Sequence, residues 1–181
     1  VADTGYPLTW SATANVRWKV PAGGSGHASP VVCGGRVYYA SCAEADKQRV
    51  LHCLDRATGR ELWRRVAVTA ELERKHGENS WASSTPAADG ERVYATFYDR
   101  PRLRVFCYDT AGTLLWEKSP GEFHSMHGFS SPPVLYKDLV IVNGDQDAPK
   151  GQAAYLVALD RKTGAERWRA DRPNRLRSYC P

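Results

Sequence analysis

The chain has 181 residues, 25% of them charged and 42% hydrophobic, a composition that excludes wholesale disorder. Its net charge of +5 comes from scattered basic residues, gathered only mildly at Arg167, Arg169, Arg172, Arg175 and Arg177. This reads as a solvated surface and not as a nucleic-acid footprint. No apolar run approaches the length of a membrane span.

Val1 is not an initiator methionine, so the native N-terminus is expected upstream, and the lack of a visible signal peptide says nothing of export. Residues 15–20 (Asn-Val-Arg-Trp-Lys-Val) read as an isolated outer strand carrying Trp18. A first unit spans 27–70. In it Ser29-Pro30-Val31-Val32 leads through Gly34-Gly35 into Arg36-Val37-Tyr38-Tyr39-Ala40, a hairpin whose proline sits where it costs no ladder bond. A third strand at 49–54 ends at Asp55, and the turn through Gly59 feeds a fourth strand bearing Trp63. Residues 70–79 are the one stretch able to form a helical turn, and are expected as an excursion between units.

The second unit, 80–121, repeats the plan. Thr85-Pro86 starts it, Asp89-Gly90 turns it, 103–108 is its third strand, and Asp109…Gly112 leads to Trp116. The third unit, 128–171, does so again with Ser131-Pro132, Lys137-Asp138, 154–159 and Asp160…Gly164 before Trp168. A fourth copy begins at 177–181, with Ser178.

The tryptophans of the three units are 53 and 52 residues apart, and seven residues separate each unit's proline from the first apolar residue of its second strand. A period near fifty built from four short strands predicts an all-β fold: a β-propeller of four-stranded antiparallel blades. A linear β-solenoid would have much shorter coils. About three blades are present, too few to close a ring, so the chain is expected to be part of a longer protein. In each turn Asp can accept bonds from backbone N–H groups and Gly can supply a positive φ. Cys53 and Cys107 share a repeat position with Ala158, which calls for a small apolar side chain in the core. The five cysteines are odd in number and form no C-x-x-C pair, so neither a zinc nor a redox motif is supported.

The Ser-Pro-Val-Val…Val-Tyr and Leu-Asp-x-x-Thr-Gly-x-x-x-Trp phrases together resemble the pyrroloquinoline-quinone (PQQ) type repeat. That repeat builds the propellers of quinoprotein alcohol dehydrogenases and of the assembly lipoprotein BamB. The likeness covers roughly residues 15–181, and is closest from Tyr155 to Trp168. It implies that Trp18, Trp63, Trp116 and Trp168 dock between blades, with Asp55, Gly59, Asp109, Gly112, Asp160 and Gly164 shaping the turns. It also implies an extracytoplasmic protein, periplasmic or secreted, and above all a non-catalytic binding or assembly scaffold. A fragment of a PQQ- and Ca²⁺-dependent dehydrogenase is the alternative, and a sensor propeller attached to a kinase or other module is another. Against the enzyme, the chain lacks the adjacent Cys-Cys pair of many quinoproteins, and no pattern marks a calcium cage.

Function is expected at the loops entering the innermost strands, at 24–29, 78–84, 124–130 and 175–180, because these differ between units. His27, Asn79, Trp81 and His127 are the candidate rim residues for a small molecule, a peptide, a sugar or a partner protein. The competing possibility is that they cap strand ends and satisfy loop backbone. His124 and His127 have His-x-x-His spacing, but no third metal ligand is identifiable, and no metal site is expected. No nucleophile elbow, phosphate loop or His-Glu-x-x-His occurs, so no catalytic residue is assigned. The remaining blades of the full-length chain are expected partners; nucleic acid is not.

Overall fold

Every regular element among the described residues is a strand. The structure, a computed structural model, describes residues 5, 7–147, 149–150 and 152–172. The expected fourth copy at 177–181 and the rim loop at 175–180 lie outside them. Blade 1 comprises β1 (Val31–Cys33), β2 (Arg36–Ala43), β3 (Gln48–Asp55) and β4 (Glu61–Thr69). Blade 2 comprises β5 (Ala87–Ala88), β6 (Arg92–Asp99), β7 (Arg102–Asp109) and β8 (Leu114–Glu122). Blade 3 comprises β9 (Val134–Tyr136), β10 (Leu139–Gly144), β11 (Ala154–Asp160) and β12 (Glu166–Arg172). Each blade is a four-stranded antiparallel meander in chain order, and the three sheets do not close on one another.

The fourth strand of every blade is bulged at the same place. Cys53 pairs with Trp63, Cys107 with Trp116 and Ala158 with Trp168, and the register then slips by one residue. A bulge re-aims the side chain beside it. Here the residue facing the tryptophan is wholly buried, which is why it is Cys, Cys or Ala.

Two cores result, one on each side of blade 2. Val93, Ala95 and Phe97 of β6 pack against Tyr38, Leu51 and Trp63 of blade 1. Tyr94 and Tyr98 of the same strand pack against Val140, Val157 and Leu159 of blade 3. The alternation is that of any strand, with successive side chains on opposite faces. Both faces are covered, so β6 reads as a nearly unbroken buried run.

Residues 15–20 differ from expectation, since they form no ladder. A strand needs a partner for its backbone groups, and this segment is held mainly by its side chains. Residues 70–79 are not helical either. The buried Arg49 guanidinium takes the Ala70 carbonyl at 2.7 Å and the Glu71 carbonyl at 3.3 Å, and it pairs with the buried Glu73 carboxylate. Carbonyls that a helical turn would use are thereby pinned to blade 1.

Candidate functional site

The blade-to-blade fastening accounts for the repeat phrase. Trp18 Nε1 donates to the Arg56 carbonyl at 2.8 Å, Trp63 to Thr110 at 3.0 Å and Trp116 to Arg161 at 3.2 Å. Each acceptor lies in the Asp…Gly turn of the blade that follows. The turn glycine lies flat under the ring. A Cβ on Gly59, Gly112 or Gly164 would come within 2.6, 2.7 or 2.8 Å of Cδ2 of Trp18, Trp63 or Trp116, and each glycine has φ between 69° and 83°. Only glycine meets both conditions.

The aspartates shape these turns. Asp55 Oδ1 accepts from Thr58 N and Oγ1, Asp109 Oδ1 from Ala111 N and Thr113 N, and Asp160 Oδ1 from Lys162 N and Thr163 N and Oγ1. These bonds hold all three carboxyls below the usual aspartate range, led by the Thr58 side chain, the Thr113 backbone and the Thr163 backbone in turn. Trp168 occupies the same place in blade 3 and is 39% exposed.

Antiparallel meanders send alternate connections to opposite faces. The Asp…Gly turns and the β1–β2, β5–β6 and β9–β10 turns therefore share one face. The other, the excursion face, carries the long connections: 70–86 between β4 and β5, 123–133 between β8 and β9, and 145–153 between β10 and β11. The four rim candidates lie on this face, in segments laced together across blades. Asn79 Nδ2 donates to the His127 carbonyl at 2.6 Å, and its Oδ1 accepts from Ser80 N and Ser83 Oγ. Trp81 Nε1 donates to the Glu73 carbonyl at 2.8 Å, with Lys75 Nζ 4.5 Å from its ring centroid. His27 joins the segment before β1 to blade 2 through its backbone N–H, which donates to the Ala82 carbonyl.

Asn79 and His127 thus meet, while Trp81 and His27 stand apart from them. His127 brings in His76, a residue that no sequence motif marks, with ring centroids 5.6 Å apart. Its buried Nε2 has no hydrogen-bond partner among the described residues. A cleft of about 230 Å³ lies there, lined by His76, Asn79, Phe123, His127 and Phe129. Among the described residues no three His, Cys, Asp or Glu side chains converge as a metal site.

Two further constellations have no signature in the sequence. On the outer face of blade 1, Ser41 Oγ lies 2.8 Å from His52 Nε2, and His52 Nδ1 lies 3.1 Å from Glu61 Oε2. The row has the chemistry of an activated serine, yet Ser41 and His52 are buried beneath Gly23 and Gly24, and Tyr39 stacks on the imidazole at 4.4 Å. Burial holds the His52 pKa below 6.5, against the pull of Glu61. The row fastens the strap 21–26 to the blade. The second constellation is a cleft of about 360 Å³ between blades 2 and 3, lined by Arg74, Tyr98, Arg100, His124, Ser125 and Met126, together with Asp147.

Residues 46–178 match the family described as "Outer membrane protein assembly factor BamB", a family of PQQ-type repeats. The chain belongs to this family. The fastenings of Trp63 and Trp116 lie within the matched PQQ-type repeats. Solved structures agree on the propeller. A europium-containing methanol dehydrogenase matches at 19% identity and TM-score 0.58, over 78% of this chain and 24% of its own. The quinohemoprotein alcohol dehydrogenase ADHIIG from Pseudomonas putida HK5 matches at 20% and 0.59, over 85% of this chain and 22% of its own. BamB from Moraxella catarrhalis matches at 24% and 0.51, over 84% of this chain and 40% of its own. At such identities the likeness is one of fold. The chain spans under half the length of each of these PQQ-repeat proteins. A search of curated proteins gives no match.

Proposed function

We propose that these blades act as a binding scaffold in an extracytoplasmic assembly, and that the excursion face receives the partner protein or ligand. The observation that carries this is the difference between the two faces. One face carries only short turns, and in every blade the aspartate of the Asp…Gly turn accepts from backbone N–H groups of its own turn. The other carries long, unlike segments cross-linked between blades, such as Asn79 to His127, and encloses two clefts. Variable loops on a rigid frame are where binding groups are usually placed. Membership of a family described as an outer-membrane protein assembly factor supports protein–protein contact and an extracytoplasmic setting.

The quinoprotein alternative asks for groups that the described residues do not bring together. They contain no convergent set of three carboxylate, histidine or cysteine donors for Ca²⁺, and the chain has no adjacent cysteine pair. No step through PQQ follows from these residues.

A photo-crosslinking residue placed at Met126, which is 57% exposed on the excursion face, tests the proposal in the full-length protein in its native cell. Lys162, exposed on the turn face, is the control. The scaffold reading predicts discrete adducts from position 126 and none from 162. Equal labelling at both sites would contradict it, as would oxidation of an alcohol or sugar by the full-length protein supplied with PQQ and Ca²⁺.

A further inference from the structure

We propose that the strap 21–26 is a latch released by a proton: it closes over a neutral His52 side chain and opens when that imidazole becomes charged. Three strands and the strap build it. His52 lies on β3, Ser41 and Tyr39 on β2 and Glu61 on β4, and the strap crosses above them.

The closed arrangement fits one protonation state. The Glu61 carboxylate can only accept, so its 3.1 Å contact places the proton of the neutral ring on His52 Nδ1. Nε2 is then an acceptor, and Ser41 Oγ donates to it at 2.8 Å. Both ring nitrogens are satisfied in this form. An imidazolium would carry a proton on Nε2 as well. Ser41 could accept that proton only by turning its own toward the Gly23 carbonyl, 3.3 Å away, which is long for a hydroxyl donor.

The strap keeps water from the ring. A Cβ on Gly23 would stand 3.3 Å from His52 Cε1, and one on Gly24 would stand 3.0 Å from Ser41 Oγ. His52 is left 1% exposed and Ser41 2% exposed, so the row holds a proton and presents no nucleophile to solvent. Burial is the leading cause that holds His52 below 6.5, and it outweighs the opposing pull of Glu61. Lifting the strap returns water to the ring and leaves Glu61 in place. The open form therefore takes up its proton at a higher pH than the closed form, and by linkage the proton favours opening.

The charged neighbours of the ring are few. On β4, Glu61 favours the imidazolium and Arg64 opposes it. On β2, Tyr39 stacks on the ring at 4.4 Å, and burial raises its hydroxyl, which stays protonated. The strap itself, Pro-Ala-Gly-Gly-Ser-Gly, brings no titratable group.

The strap is also lightly held. Ser25 and Cys42 exchange one pair of backbone bonds at 3.0 and 2.7 Å, Tyr39 donates to the Ala22 carbonyl at 3.1 Å, and Ser25 Oγ donates to Glu44. Segments with few buried contacts open locally without global unfolding. The strap lies between two fixed points, Trp18 on the Arg56 carbonyl and His27 on the Ala82 carbonyl. Its release frees the chain between the first tryptophan fastening and the excursion face.

Hydrogen exchange of the full-length protein, read across a series from about pH 8 to about pH 5 and corrected for intrinsic rates, tests the latch. Protection of the strap should fall roughly threefold to tenfold on acidification, while that of β3 stays unchanged. His52→Asn should make strap protection independent of pH. Glu61→Gln should keep the loss but move its midpoint to lower pH, because the charge that favours the imidazolium is gone. Nitrogen-15 shifts of labelled histidine should place the His52 proton on Nδ1 at about pH 8. Constant strap protection in the unsubstituted protein, a loss that persists in His52→Asn, a midpoint raised in Glu61→Gln, or a proton on Nε2 would overturn the latch.

Discussion

Trp116 is 8% exposed and joins two blades through its ring and its Nε1. Trp116→Ala should destabilise the protein by about 3–5 kcal/mol in denaturant unfolding, as a large core truncation. The thiols give a second prediction at this scale. Burial pushes Cys53 up to about 11 and Cys107 up to about 12, and Cys42 is buried and raised as well. Of the four described thiols, only the partly exposed Cys33 should label with a thiol reagent at neutral pH; the others should wait for unfolding.

Titration adds a third prediction. The three turn aspartates have folded-state values below 3.8, so their contribution is present above that pH and is lost as pH falls through the folded values. His52 is held below 6.5 by burial, so the unfolded chain takes up its proton first, and stability begins to fall as pH drops through 6.5. A pH series of melting curves should therefore decline in two stages, and His52→Asn should remove the upper one. Of all these residues the sequence made the tryptophans, glycines and aspartates legible, because they recur. It could not show His52 beside Ser41, since that row occurs in one blade only and is assembled across strands.

Among elements, the four strands of each blade were readable from alternation and from Gly- or Asp-containing turns. The bulge was less so, although the Cys, Cys, Ala position already required something small opposite the tryptophan. Residues 70–79 show where local composition misleads. Ala, Glu, Leu, Glu, Arg and Lys favour a helical turn, but the buried Arg49 side chain takes the carbonyls, a contact invisible to any local pattern. That pair also makes the segment sensitive. Glu73→Ala would strand a fully buried guanidinium and should cost about 3–5 kcal/mol, whereas replacing both Arg49 and Glu73 with apolar residues of similar size should cost much less. Denaturant unfolding of the two variants separates these outcomes.

For the whole molecule, the order of the blades follows from a handover: the tryptophan at the outer edge of one sheet closes on the turn of the next. Polar contacts join the same neighbours, as Arg65 Nε donates forward to the Gly112 carbonyl at 2.7 Å and Arg161 Nε reaches back to Asp89 at 3.5 Å. The architecture was legible because it is periodic. The clefts of the excursion face were not, because they are built from segments the blades do not share, and the four rim candidates include structural fastenings such as Asn79. The most direct test of the handover compares Gly112→Ala with Gly35→Ala by equilibrium unfolding. The two glycines have φ of 83° and 75°, but a Cβ on Gly112 would lie 2.7 Å from the Trp63 ring, whereas a Cβ on Gly35 meets nothing within 4 Å. Both variants incur the left-handed backbone cost of about 1–2 kcal/mol. The fastening predicts that Gly112→Ala loses a further ~1–3 kcal/mol from overpacking, while equal losses in the two variants would contradict it.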